Sequence, residues 1–190
     1  MKYWILCIVL NGASKVKYVA LLRGINVGTS ARINMKEVKT LFEKNGFTEV
    51  LTYINSGNIV FESRNNEDTL QREVEEILFA EFNQKIRSLV MNGNRIVSIS
   101  NMIPAEWKND DIQKTDVAYL FNEINNEKIL ESLPVNKDFI RLIYADGAII
   151  WNVDRKDYNK SRLNKIISHK MYKEMTVRNV NTARYLASII

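Results

Sequence analysis

One pattern occurs twice in this chain: strand, helix, tight hairpin, helix, strand. In the first copy, residues 17–22 (KYVALL) read as a strand that leads through a Gly-containing loop to Ile33. Asn34 stands where a helix N-cap is needed, with Glu37 at the capping-box position. Met35, Val38, Leu41 and Phe42 then fall on one helical face, and Asn45-Gly46 ends the helix. Residues 50–54 and 58–62 flank Asn55-Ser56-Gly57 and read as a hairpin. Leu70, Val74, Ile77, Leu78 and Phe82 form the apolar stripe of a second helix, and residues 86–91 a closing strand.

The second copy opens on residues 116–121 (DVAYLF), which echo YVALL at 18–22. A short helix over 127–133 is stopped by Pro134, and strands at 139–144 and 148–153 flank the hairpin dipeptide Asp146-Gly147. A basic helix is expected over 160–170, with Leu163, Ile166 and Ile167 inward. A last strand at 175–177 and a terminal helix over 181–190 complete it. The order predicts an α+β chain of two ferredoxin-like βαββαβ subdomains, an internal duplication, with an extra C-terminal helix. The expected boundaries are 1–15 for an apolar leader, 16–92 and 115–190 for the subdomains, and 93–114 for a linker. That linker holds a short helix near 95–102.

The leader contains the apolar run 4–10 (WILCIVL), too short to span a membrane, which needs about 20 apolar residues. It reads as an added strand, with an export signal as the competing interpretation and cytoplasm as the expected location. Upstream sequence translated from an early start is a third reading of it.

Composition narrows the chemistry. One Cys and one His, Cys7 and His169, exclude a disulfide framework and a zinc cage built from one chain. The carboxylates show no metal-ligating spacing, so no metal is expected; no cofactor motif is present, and the short apolar run leaves no membrane partner expected. The formal net charge of +5 is unevenly distributed. Residues 155–184 are strongly basic and 62–81 strongly acidic, which fits a surface for nucleic acid or a phosphorylated ligand, a solvated helix face, or docking of one stretch on the other.

Three clusters stand out as candidate sites. The stretch from Val19 to Gly57 is longer than its counterpart from Val117 to Gly147, and the surplus lies in 23–33 (RGINVGTSARI). Such connections usually need about 2–6 residues. Here Gly24 and Gly28 permit close backbone approach, while Arg23 and Asn26 offer hydrogen bonds to anionic or carbonyl oxygens. The loop is neither a P-loop nor a dinucleotide fingerprint, and its Arg is equally suited to binding backbone carbonyls. The second cluster is Ser56, Gly57 and Asn58 in YINSGN. The third is Arg178, Asn179 and Asn181 in TVRNVNT, where either Asn caps the last helix.

These blocks, KYVALLRGINVG, TYINSGNIVFES, SRL at 161–163 and TVRNVNT, resemble the bacterial "domain of unknown function 1697" family from about residue 17 to the C-terminus. The resemblance implies a soluble bacterial α+β protein of ferredoxin-like subdomains and brings no activity. Its motif positions are Arg23, Gly24, Asn26, Gly28, Ser56, Gly57, Asn58, Arg178, Asn179, Asn181 and Thr182. The chain departs from the pattern at Asn55, where the family usually has Gln, at Arg162, often Lys, and at Val180, often an aromatic. Family members usually open just before the Lys-Tyr-Val-Ala block, which makes Val16 an alternative start.

Three functions follow as expectations. The first is binding of a small polar or phosphate-bearing ligand by the three clusters, with turnover left open. The second is a nucleic-acid-binding module on the basic 155–184 surface. The third is a non-catalytic interaction domain that pairs a sheet edge with a partner.

Overall fold

The structure, a computed structural model, describes residues 14–26 and 32–190. The expected leader strand and Gly28 lie outside these residues. The first half runs β1 (Val16–Leu22), α1 (Met35–Lys44), β2 (Thr48–Tyr53), β3 (Asn58–Ser63), α2 (Glu67–Phe82), β4 (Ser88–Asn92) and α3 (Gly93–Asn101). The second runs β5 (Gln113–Leu120), α4 (Ile129–Ser132), β6 (Arg141–Ala145), β7 (Ala148–Asp154), α5 (Lys165–Ser168), β8 (Met175–Asn179) and α6 (Val180–Ser188), with short 3-10 turns between. The chain is α+β. Its strands form two antiparallel sheets, ordered β2-β3-β1-β4 and β6-β7-β5-β8. Numbered within each half, the two orders are the same.

The composition of the central strands follows from this placement. Tyr18, Ala20 and Leu22 of β1 pack under α1 and α2, while Val19 and Leu21 enter a different core on the opposite face. A strand buried on both faces reads as a continuous apolar run, which is what YVALL and VAYL are. The edge strand β2 instead alternates, with Val50 buried and Leu51 half exposed.

Three cores result. One lies between the first sheet and α1 with α2, and another between the second sheet and the short helices α4 and α5. The third is shared: Val19, Leu21 and Met91 from the first sheet meet Val117, Tyr119 and Ile150 from the second, together with α3 and α6. These two helices pack on each other. Both have nine residues, and both start where the last residue of a strand turns its side chain onto a helix N–H. Asn92 accepts from Asn94 at 2.8 Å, and Asn179 from Thr182 at 2.9 Å. The segment expected as a linker therefore supplies Ile96, Ile99, Ile103 and Trp107 to the shared core. Each buried side chain of this size is worth roughly 1.5–3 kcal/mol, so α3 belongs to the folded body.

The expected basic helix over 160–170 is a correction. Arg162 has φ of 57°, which no right-handed helix accommodates, and Ser161 Oγ takes the Leu163 N–H. Only α5 is helical there, followed by a 3-10 segment at Lys170–Glu174. Leu163 and Ile166 do face inward, but Ile167 is 63% exposed. The docking of acidic on basic stretch is also absent: among the described residues, no ion pair joins an acid of 62–81 to a base of 155–184. Contacts across the halves run the other way, with Arg87 on Glu174 and on Glu123 at 2.9 Å, and Arg95 on Asp146 at 3.1 Å. Part of the acidic stretch has a local task instead. Glu67 and Glu75 of α2 accept from the N–H groups of Asn92 (2.5 Å) and Ser88 (2.8 Å), occupying the outer edge of β4. No helix of the described residues is long and apolar enough to cross a membrane.

Candidate functional site

The three sequence clusters converge where β1 ends, β3 begins and β8 runs alongside. Gly57 takes φ of 76° at the close of the hairpin, and its carbonyl receives the Leu22 N–H at 2.8 Å. A β-carbon there would lie 2.6 Å from Leu22 Cβ, so the position requires glycine. Asn58 is wholly buried. Its amide donates to Tyr53 O and Ser56 Oγ at 3.0 Å, and its Oδ1 receives Arg178 Nε at 2.5 Å.

Arg178 comes from the other half of the chain. Its guanidinium has five N–H groups, and five protein oxygens receive them. They are Asn58 Oδ1, Thr176 Oγ1 at 2.8 Å, Val177 O at 2.9 Å, Leu22 O at 2.9 Å and Gly57 O at 3.2 Å. Burial, partly offset by the nearby Tyr119 and Tyr172, pulls its pKa down to about 10, so it remains charged at neutral pH. No donor is left over for a ligand. Arg178, Asn58 and Gly57 together form a latch between the halves. Tyr119 lies beside it, wholly buried, with a hydroxyl that finds no hydrogen-bond partner among the described residues. Burial raises the pKa of that hydroxyl.

Arg23 reaches in the opposite direction, from the first half to the second. Nε donates to Met175 O and Nη2 to Tyr172 O, both at 3.2 Å, and the guanidinium carbon stands 5.4 Å from the Tyr172 ring centre. It is half-buried, and Nη1 bonds to no described residue. Gly24 is exposed at φ of 71°. Asn26 organises the loop: its amide donates to Ile33 O at 2.9 Å and Asn55 O at 2.8 Å, while its Oδ1 takes the Ile33 N–H at 2.7 Å. Of the two candidate caps, Asn179 is the one used, and Asn181 is exposed. The structure thus gathers Arg23, Ser56, Gly57, Asn58 and Arg178, but their polar atoms are largely spent on one another and on backbone. None of them lines any of four grooves of about 190–520 Å³ formed by the described residues.

The layer over the outer face of the second sheet is different. Arg155, Lys156, Lys160, Arg162, Lys165, Lys170 and Lys173 are all exposed there. Arg155 is held by Asp110 O and Asn109 Oδ1, and Lys160 by Asp157 at 2.9 Å. Lys156, Arg162, Lys165 and Lys170 make no side-chain hydrogen bond or ion pair to a described residue. The unusual backbone of Arg162 projects it from a loop whose neighbours Ser161 and Leu163 are buried. Sequence reading located the basic stretch but not this division. It also passed over Arg87, which lies 3.9 Å from the Phe121 ring centre as well as pairing with Glu123 and Glu174. Nothing in its local sequence marks it.

Comparison with known proteins adds a family and a fold. The model of a family described as "protein of unknown function (DUF1697)" matches residues 16–151. No curated protein matches the chain. Among solved structures, the chain is similar to the conserved bacterial protein SP0830 from Streptococcus pneumoniae, with a TM-score of 0.77 and 24% identity. The alignment covers 93% of this chain and 99% of that one. At this identity the likeness is one of fold.

Proposed function

Because the chain belongs to the DUF1697 family, whose description carries no activity, its function has to be read from its own surface, and we propose that it binds nucleic acid through the basic layer over the second sheet. The observation that carries this reading is the set of four exposed cations, Lys156, Arg162, Lys165 and Lys170, that no described residue engages. Such groups add little to stability, yet together they create a positive field that draws in a phosphate backbone and releases its counterions on contact. Tyr158 and Tyr172, half-buried beside them, offer ring surface for stacking. Four phosphate contacts give a slope of about −3.6 in log affinity against log salt for duplex DNA. Labelled duplex DNA and single-stranded RNA, titrated at low and moderate salt, test it. Arg162→Ala and Lys165→Ala should each weaken binding and flatten the slope by about 1. No binding at low salt would sink the reading.

A second reading, a small polar or phosphate-bearing ligand at the 23–28 loop, keeps one observation in its favour: Arg23 is half-buried with Nη1 unengaged by described residues. Phosphate should then raise the melting temperature of the native chain but not of Arg23→Ala. Equal responses would remove it. The third reading, strand addition at a sheet edge, is disfavoured at β4, where the outward N–H groups of Ser88 and Asn92 are held by Glu75 and Glu67. We also read the two halves as duplicated ferredoxin-like units, supported by their common strand order and by the matching strand, Asn cap and nine-residue helix that close each half.

A further inference from the structure

On α2, Arg72, Glu75, Glu76 and Phe79 recur at helical spacing and form one wall of a groove of 520 Å³. The chain approaching β4 forms the other wall through Lys85, Ile86 and Arg87. The floor is apolar: Ile86 is buried, and Phe79 leaves 48% of its surface in solvent. An aromatic ring exposed to that extent inside a concavity gains free energy when an apolar body covers it.

The charged groups around this floor divide into engaged and available ones. Glu75 holds the Ser88 N–H, and Arg87 is taken up by Glu174, Glu123 and Lys173 O. Arg72 makes one long bond from Nε to Asp68 O at 3.4 Å, and neither of its terminal nitrogens bonds to a described residue. Lys85 is exposed and makes no hydrogen bond or ion pair to a described residue. Two available cations thus flank the apolar floor, against one available carboxylate, Glu76. The volume falls in the range of small-molecule sites, about 300–1,000 Å³.

We propose that this groove binds an amphipathic organic anion, its apolar body lying on Phe79 and Ile86 and its carboxylate, phosphate or sulfonate group meeting Lys85 and Arg72. The site belongs to the first half, and it neither uses nor depends on the basic layer of the second. Recognition divides between apolar contact, which a neutral analogue retains, and charge-assisted hydrogen bonds, which it loses.

The test uses the full chain and two fluorescent probes of similar shape, 8-anilinonaphthalene-1-sulfonate and the neutral N-phenyl-1-naphthylamine. The native chain should bind the sulfonate saturably, and dodecanoate should displace it. Phe79→Ser should weaken both probes roughly tenfold, which corresponds to about 1.4 kcal/mol. Arg72→Glu with Lys85→Glu should weaken the sulfonate by a similar factor and leave the neutral probe within about twofold. Both changes are at exposed positions, and an unchanged urea midpoint verifies that each variant is folded. The proposal is overturned by the absence of saturable sulfonate binding or by failure of dodecanoate to compete. Equal sulfonate binding by Phe79→Ser and native chain, or loss of both probes in the charge variant, overturns it as well.

Discussion

The two halves of the molecule meet through positions that correspond, and they fill them with opposite chemistry. Met91 pairs with Val19 in β1, and Arg178 pairs with Val117 in β5, so the two residues occupy matching sites on matching edge strands. The hairpins they face match as well: Leu22 N–H bonds Gly57 O at 2.8 Å, and Leu120 N–H bonds Gly147 O at 2.8 Å. On one side the Met91 methyl packs against Gly147, where an added β-carbon would lie 2.7 Å from it. On the other, a buried guanidinium donates into Asn58 and the carbonyls of Leu22 and Gly57. The difference teaches that the motif-rich side of the interface is the one with buried polar groups to satisfy. An Arg among Asn and Gly reads like a ligand site, and here its donors are consumed by the fold.

The sharpest way to break this comparison is to make the two sides alike. Arg178→Met, which copies Met91, leaves Asn58 Oδ1 and Leu22 O buried without this donor and Gly57 O with the Leu22 N–H alone. Unsatisfied buried acceptors cost about 1–3 kcal/mol each, so a loss of about 3 kcal/mol is expected in the urea midpoint with the slope unchanged. Met91→Leu, a nearly volume-conserving change, should cost less than about 1.5 kcal/mol. Equal losses would mean that the latch is no stronger than the apolar contact. Next come the glycines. Gly57→Ala meets the rigid Leu22 Cβ at positive φ and should cost about 2–3 kcal/mol. Gly147→Ala, also at positive φ, meets the end of a flexible Met and an Arg side chain and should cost about 1 kcal/mol. Thermal melts of the two variants rank them directly.

Tyr119→Phe, beside the latch, should stabilise the chain by about 1 kcal/mol, since it removes a buried hydroxyl without a partner among the described residues. The native Tyr119 also has a pH signature. Its pKa is raised in the folded state, so above pH 10 the unfolded chain loses this proton first and stability falls as pH rises. Arg178 acts in the opposite sense: with its pKa lowered to about 10, it favours the folded state as pH rises from there to its ordinary value. Tyr119→Phe should therefore lose less stability than the native chain between pH 9 and 11 in urea melts. The smallest effect on the fold is expected at the basic layer. Arg162→Glu with Lys165→Glu should alter stability by no more than about 0.5 kcal/mol while removing salt-dependent nucleic-acid binding. A large loss of stability would mean that these cations serve the fold after all.

Local chemistry made most of the elements legible in advance. The Asn55-Ser56-Gly57 and Asp146-Gly147 turns, the stripe on α2 and the strand character of β1 and β5 all follow from short-range periodicity and backbone preference. Residues 160–170 did not, because a positive φ at Arg162 and the Ser161 back-bond break a stripe that Leu163 and Ile166 otherwise satisfy. The outward turn of Ile167 follows from that break.

By itself, the sequence determined the α+β alternation, the paired hairpins, the Asn34 cap and the shortage of His and Cys. Those features depend on neighbours within a few positions. Only the tertiary structure decided that α3 fills the shared core, that Arg178 is saturated, and that Lys156, Arg162, Lys165 and Lys170 are not engaged. Whether a guanidinium is spent or available depends on which buried oxygens lie within hydrogen-bond distance, and those of Leu22, Gly57 and Asn58 come from more than a hundred residues away. No local pattern carries that information.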